Sequence, residues 1–223
     1  MKLHSVEAIA GYVFGADQPS CLRPLQMAFA EPLGKQLEVS EFGVQPNGDR
    51  PVWLFKTGSV KLSDTRRVLL LQAIGNANEV TVRVSGDTSD AVDVLHHVWE
   101  LLHPDEDVPA LRDVPGTMAH VTNAVVTLSE SCTKLIPILA TIQDAIHSNL
   151  GSQLVEAPEG DLKFRLDVPI RVTIGGIMRD RSIVIEPRFT ATSADRVYFT
   201  SSPFTSVQHL AMLEKIEELA STR

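Results

Sequence analysis

The stretch Leu162-Lys163-Phe164-Arg165-Leu166-Asp167-Val168-Pro169-Ile170-Arg171-Val172-Thr173-Ile174 decides the fold class. Apolar side chains fill every even position from 162 to 174, and the odd positions between them are polar, charged or proline. Successive side chains of a strand point to opposite faces, so this is the pattern of a half-buried β-strand and not of a helix. Pro169 cannot donate to a ladder, which puts the strand at an edge or at a local break. Gly175-Gly176 then begins a turn, Ser182–Ala191 returns with Ile183, Ile185 and Phe189 inward, and Arg196–Thr200 makes a third strand.

Elements flank this sheet on both sides. Upstream, Met118–Ser129 reads as a strand, followed by a helix with Leu135, Ile138, Leu139, Ile142, Ile146 and Leu150 on one side. Pro137 sits near its first turn, where a missing N–H costs little, and Gly151 stops it. Downstream, Thr205-Ser206-Val207-Gln208 matches a capping box and opens a helix to about Ala220, with Leu210, Leu213 and Ile216 as its apolar side.

The first half repeats the mixture. Val6–Phe14 is a short apolar run of a central strand, and Pro19–Gly34, with three prolines, reads as irregular with one helical turn near Leu25–Ala30. Leu37–Gln45 and Pro51–Thr57 flank Asn47-Gly48, a hairpin signal because both residues tolerate positive φ; Trp53 and Phe55 share a face of the return strand. Arg67–Ile74 and Glu79–Ser85 form a second hairpin. From Asp87 to His103 the period changes: Ala91, Val92, Leu95, Trp99 and Leu102 recur at three- and four-residue spacing, Asp87 to Asp90 supply caps, and Pro104 stops the helix.

These elements predict an α+β protein with two mainly antiparallel β-sheets, each covered by amphipathic helices, in a layout that admits a duplicated βαβββα unit. The halves are 1–104 and 116–223, joined by an acidic, proline-rich linker at 105–115.

Bulk composition narrows the function. Twenty Lys and Arg against 28 Asp and Glu leave a net charge of -8, so attraction of the whole chain to nucleic acid or to an anionic membrane is not expected. Cys21 and Cys132 stand alone and far apart, which reads as two free thiols rather than a disulfide framework. Lys2 and the apolar Ala8–Ala16 outline a short signal peptide, but Glu7, Gly11 and Gly15 interrupt it and Val6, Ile9 and Tyr12 suit a buried strand. The expected location is the cytoplasm.

No phosphate-loop, dinucleotide-binding, Gly-x-Ser-x-Gly or His-Glu-x-x-His motif occurs, and no cofactor is implied. Two candidate sites stand out. His96, Glu100 and His103 fall at i, i+4 and i+7 of the predicted helix, the spacing of a two-histidine, one-carboxylate metal site; the competing reading is the solvated side of an amphipathic helix. Between Asp161 and Arg196, seven Lys or Arg face five Asp or Glu, a local excess of +2. Lys163, Arg165, Arg171, Arg188 and Arg196, with Tyr198, then outline a basic sheet face for a carboxylate or phosphate. Here the competing reading is a plain surface of cross-strand pairs such as Arg165 with Glu186. Tyr198 alone offers base stacking, which disfavours nucleic acid. His209 reads as a packed, hydrogen-bonded residue, and Trp53 and Trp99 as core anchors.

Three functions follow from this reading. The first is a non-catalytic binding module for a protein partner or a small anionic ligand. The second is a metal-assisted enzyme built on His96, Glu100 and His103. The third is a self-assembling homo-oligomer that uses an exposed edge such as the Pro169 strand.

Overall fold

The computed structural model describes residues 1–14, 27–47, 50–104, 108–129, 165–174, 177–188 and 196–221. The amino-terminal half contains β1 (Lys2–Phe14), α1 (Met27–Gln36), β2 (Glu41–Asn47), β3 (Arg50–Lys61), β4 (Arg67–Gly75), β5 (Glu79–Ser85) and α2 (Thr88–Leu102). After a short 3₁₀ turn at Leu111–Asp113 come β6 (Gly116–Thr127), β7 (Leu166–Ile174), β8 (Ile177–Pro187), β9 (Val197–Ser202) and α3 (Ser206–Ser221). The helix read over Leu135–Leu150, the Gly175-Gly176 turn, both cysteines and Lys163 lie outside the described residues.

The expectation of two sheets, each under its own helices, is overturned. The strands form one nine-stranded sheet in the order β2-β3-β4-β5-β1-β6-β9-β8-β7, with three helices among the described residues. The physical reason lies in β1 and β6, the first strand of each half. A strand presents hydrogen-bonding groups along both edges, and an open edge is satisfied by any compatible neighbour. β1 gives one edge to β5, in antiparallel register from Glu7↔Ser85 to Val13↔Glu79, and the other to β6. Side-chain contacts mark both ends of the β1–β6 pair: His4 Nε2 lies 2.7 Å from Thr127 Oγ1, and the Tyr12 hydroxyl donates to the Val114 carbonyl at 2.7 Å. The duplicated βαβββα layout fails as well, because four strands, not three, follow α1.

The chain divides into two compact units. The larger comprises Val6–Thr122 and Arg171–Asp180, and the second comprises Met1–Ser5, Asn123–Ile170 and Arg181–Arg223. In the larger unit the β2–β3 hairpin closes on Asn47↔Arg50, where the Asn-Gly signal puts it. Trp53 and Phe55 share a face and are both fully buried, as their two-residue spacing predicts. Helix α2 starts at the Asp87 cap, whose carboxylate accepts from the Ser89 and Asp90 amides while Asp90 returns a bond to the Asp87 amide. That reciprocal arrangement satisfies amide donors that every helix start leaves open. The helix packs on β5 and buries Val94, Leu95, Val98, Trp99 and Leu102.

One segment of this unit differs from the sequence reading. Residues read as irregular form the ten-residue helix α1, with Pro32 inside it. Ala30, Leu33 and Leu37 recur along one side and are buried, and that burial offsets the backbone bond the proline removes. Within the stretch read as a linker, Leu111 and Val114 are buried in the core and the Trp99 indole donates to the Pro109 carbonyl at 3.1 Å.

In the second unit, β8 and β9 pair from Val184↔Ser201 to Pro187↔Tyr198, so Ile185 opposite Thr200 shares a face with Tyr198 and Ser202. Thr205 and Gln208 form the predicted capping box of α3: the Thr205 amide donates to Gln208 Oε1 at 3.2 Å, and the Gln208 amide donates to Thr205 Oγ1 at 3.4 Å. The sheet ends on β2 and β7, each carrying a proline (Pro46, Pro169), a residue that blunts an open edge.

Candidate binding site

The helix that carries the proposed metal ligands forms as expected, but it does not bring them together. His103 is the C-cap of α2, with φ -131° and ψ 70°, so its side chain leaves the helical face on which His96 and Glu100 stand. Its ring lies 4.1 Å from the Trp99 ring and is buried, whereas His96 is partly exposed and Glu100 exposed. Among the described residues, no three His, Cys, Asp or Glu side chains gather as metal ligands would. Asp93, beside them in sequence, is held by Arg66, whose guanidinium bridges Asp90 at 2.6 Å and Asp93 at 2.7 Å.

The arginines of the second candidate are engaged with neighbouring groups. Arg165 reaches Asp167 at 3.3 Å and Glu186 at 3.5 Å, and Arg171 reaches Asp180 at 3.0 Å. Arg165, just before β7, and Arg171 on it are six residues apart, and Glu186 and Asp180 lie six apart in the opposite sense on β8, as antiparallel cross-strand pairs require. Arg196 has a left-handed backbone (φ 52°); its guanidinium donates to the Ser129 carbonyl while its own carbonyl accepts from the Leu128 amide at 3.1 Å. Arg188 is exposed, and its amide donates to the Val197 carbonyl at 2.9 Å. Tyr198 is buried on β9 and presents no face to a base.

A different site emerges where α1 meets the end of α2. A cavity of about 210 Å³ opens there, lined from α1 by Phe29, Pro32, Leu33 and Gln36 and from the end of α2 by Glu100, Leu101, Leu102 and Pro104. Leu33 and Leu102, both buried in the core, are its innermost residues, while Phe29 is 43% exposed. Two of the eight lining side chains are polar, the Gln36 amide and the exposed Glu100 carboxylate. A concave apolar surface with a few placed polar groups is the usual form of a binding pocket.

Comparison with known proteins does not decide among these readings. No family model matches the chain, and no curated protein matches its sequence.

Sequence reasoning named Glu100 as a metal ligand beside His96 and His103; in the structure it lines the α1–α2 cavity. That reasoning missed Phe29, Pro32, Leu33 and Gln36 because Pro19, Pro24 and Pro32 argue against a helix there. The signal that finds them is the spacing of Ala30, Leu33 and Leu37, at i, i+3 and i+7. His209, by contrast, is placed as read: fully buried, with a hydroxyl on each ring nitrogen. No helix among the described residues is long and apolar enough to cross a membrane.

Proposed function

We propose that the protein is a non-catalytic binding module whose α1–α2 pocket receives one large apolar side chain of a protein partner. The observation that carries this reading is the pocket itself, an apolar cleft with a half-exposed phenylalanine and a carboxylate in its lining. Burying an apolar side chain there supplies roughly 1.5–3 kcal/mol, the scale of an interface anchor. Glu100 favours a partner with a Lys or Arg next to that anchor, in keeping with the -8 charge of the chain. The paired state of Arg165 and Arg171 weighs against a small anionic ligand on the β7–β8 face, because a ligand must first displace Glu186 or Asp180.

The test uses short peptides holding a single Phe or Leu beside Lys, titrated into the full chain and followed by amide shift changes. Shifts confined to α1 and residues 100–104, abolished by Phe29→Asp and weakened several-fold by Glu100→Gln, are expected. Shifts centred on β7 and β8, or indifference to Phe29→Asp, would overturn the assignment.

A further inference from the structure

We propose that α3 is an acid-released helix: a proton taken up by His209 frees it from the strands beneath it while the larger unit stays folded.

The inference starts from a hydrogen-bond inventory. Thr200 Oγ1 donates to the Ala124 carbonyl at 3.2 Å, so toward His209 Nε2, 2.8 Å away, it acts as acceptor. Nε2 therefore carries the ring proton, and Nδ1 accepts from the Ser202 hydroxyl at 2.6 Å. The imidazole is thus neutral, fully buried and satisfied at both nitrogens, between side chains that are themselves buried. A second proton must arrive at Nδ1. Ser202 can turn its hydroxyl to accept, but neither hydroxyl carries a charge that would balance the imidazolium.

Among the described residues, the surrounding groups do not supply one. From β9 the same face presents Tyr198, Thr200 and Ser202; from β8 it presents Ile185, with the exposed Arg181 further along; from β6 it presents Ala124 and Val126. His120 lies four residues before Ala124 on β6, and burial holds its own pKa below the ordinary value, so it adds no negative charge. On α3 the nearest carboxylate along the same side is Glu217, two turns on. It is already engaged by the Met1 amino group and by the Ser129 amide, which donates to it at 2.6 Å. An unpaired cation in such a site is expelled rather than accommodated. Burial accordingly pushes the His209 pKa down to about 4. Among the described residues, Leu213 is the one fully buried apolar side chain of α3.

The direction of the effect is set by linkage. With α3 released, His209 titrates near its ordinary value of 6.5; docked, it resists protonation to about 4. Docking is therefore at full strength above pH 6.5 and weakens as pH falls toward 4, by roughly 100-fold or more. Glu217, held at about 2 by bonds that outweigh its burial, weakens docking only below its ordinary value of 4.5.

Two measurements on the full chain test this. NMR titration of the His209 ring follows its protonation, and hydrogen exchange, corrected for intrinsic rates, follows α2 and α3 between pH 7 and 4. The expected result is a ring that stays neutral to well below pH 6. Protection of α3 should fall roughly 100-fold while α2 keeps its own, and His209→Gln, which keeps hydrogen bonding but cannot titrate, should remove the pH dependence of α3 between pH 7 and 4.5. A ring that titrates near 6.5 without loss of protection would overturn the proposal, as would α2 and α3 opening together, or an unchanged pH dependence in the Gln variant. Should that variant fail to fold, the ring titration of the unaltered chain decides.

Discussion

Helices α2 and α3 are both capped by reciprocal side-chain bonds and both lie on strands, but their buried faces differ. α2 buries Val94, Leu95, Val98, Trp99 and Leu102, and Trp99 stacks on Phe14 at 5.0 Å within a continuous apolar core. Among the described residues α3 buries Leu213 together with Ser206 and His209, and His209 is bonded to Thr200 and Ser202 of the strand beneath. An apolar interface is indifferent to pH and costly to truncate. A polar one holds only while every donor and acceptor keeps its partner and its charge. Similar secondary structure is thus retained by different forces, and the two helices should fail under different insults.

The largest expected effect is on the apolar side. Trp99→Ala removes the stacked indole and leaves the Pro109 carbonyl without its donor, and should cost about 3–5 kcal/mol in urea unfolding. A loss under 1 kcal/mol would mean that Trp99 does not anchor α2 in the apolar core as described. Acidification from pH 7 to 4 comes next. The released state gains a proton at 6.5 and the docked state only at about 4, so α3 docking should weaken by up to about 3 kcal/mol with α2 unaffected. Calorimetry showing a single pH-independent transition would erase the contrast.

Smaller effects sharpen it. A Cβ on Gly75 would lie 2.3 Å from the Trp53 ring, which is buried on the opposing strand, so Gly75→Ala should destabilise the larger unit by about 1–3 kcal/mol through overpacking. Retained stability there would show that the Trp53 ring can yield. Least of all, Arg171→Ala opens an exposed pair with Asp180 and should shift the thermal midpoint by the equivalent of less than about 1 kcal/mol.

The sequence made individual elements legible where local chemistry is strong. The Asp87 cap, the Thr205–Gln208 box, the Asn47 hairpin and the shared face of Trp53 and Phe55 are each written within a few residues. The cross-strand pair of Arg165 with Glu186 was legible too, and it tells against the ligand reading of the same arginine. The sheet as a whole was not legible. Alternation reports which face of a strand meets the core, whereas the partner of a backbone edge depends on groups that every residue shares. The pocket escaped for a related reason: α1 is stabilised by burial of Ala30, Leu33 and Leu37, and Pro32 masks that in local propensity.

The most direct test of this account is the neighbour of β1. Cross-strand Hα–Hα and amide contacts in an isotope-labelled sample should link Lys2–Phe14 to Glu79–Ser85 on one edge and to Gly116–Thr127 on the other. Contacts from β1 to β5 alone, with β6 paired only within its own half, would restore two separate sheets and contradict the architecture described.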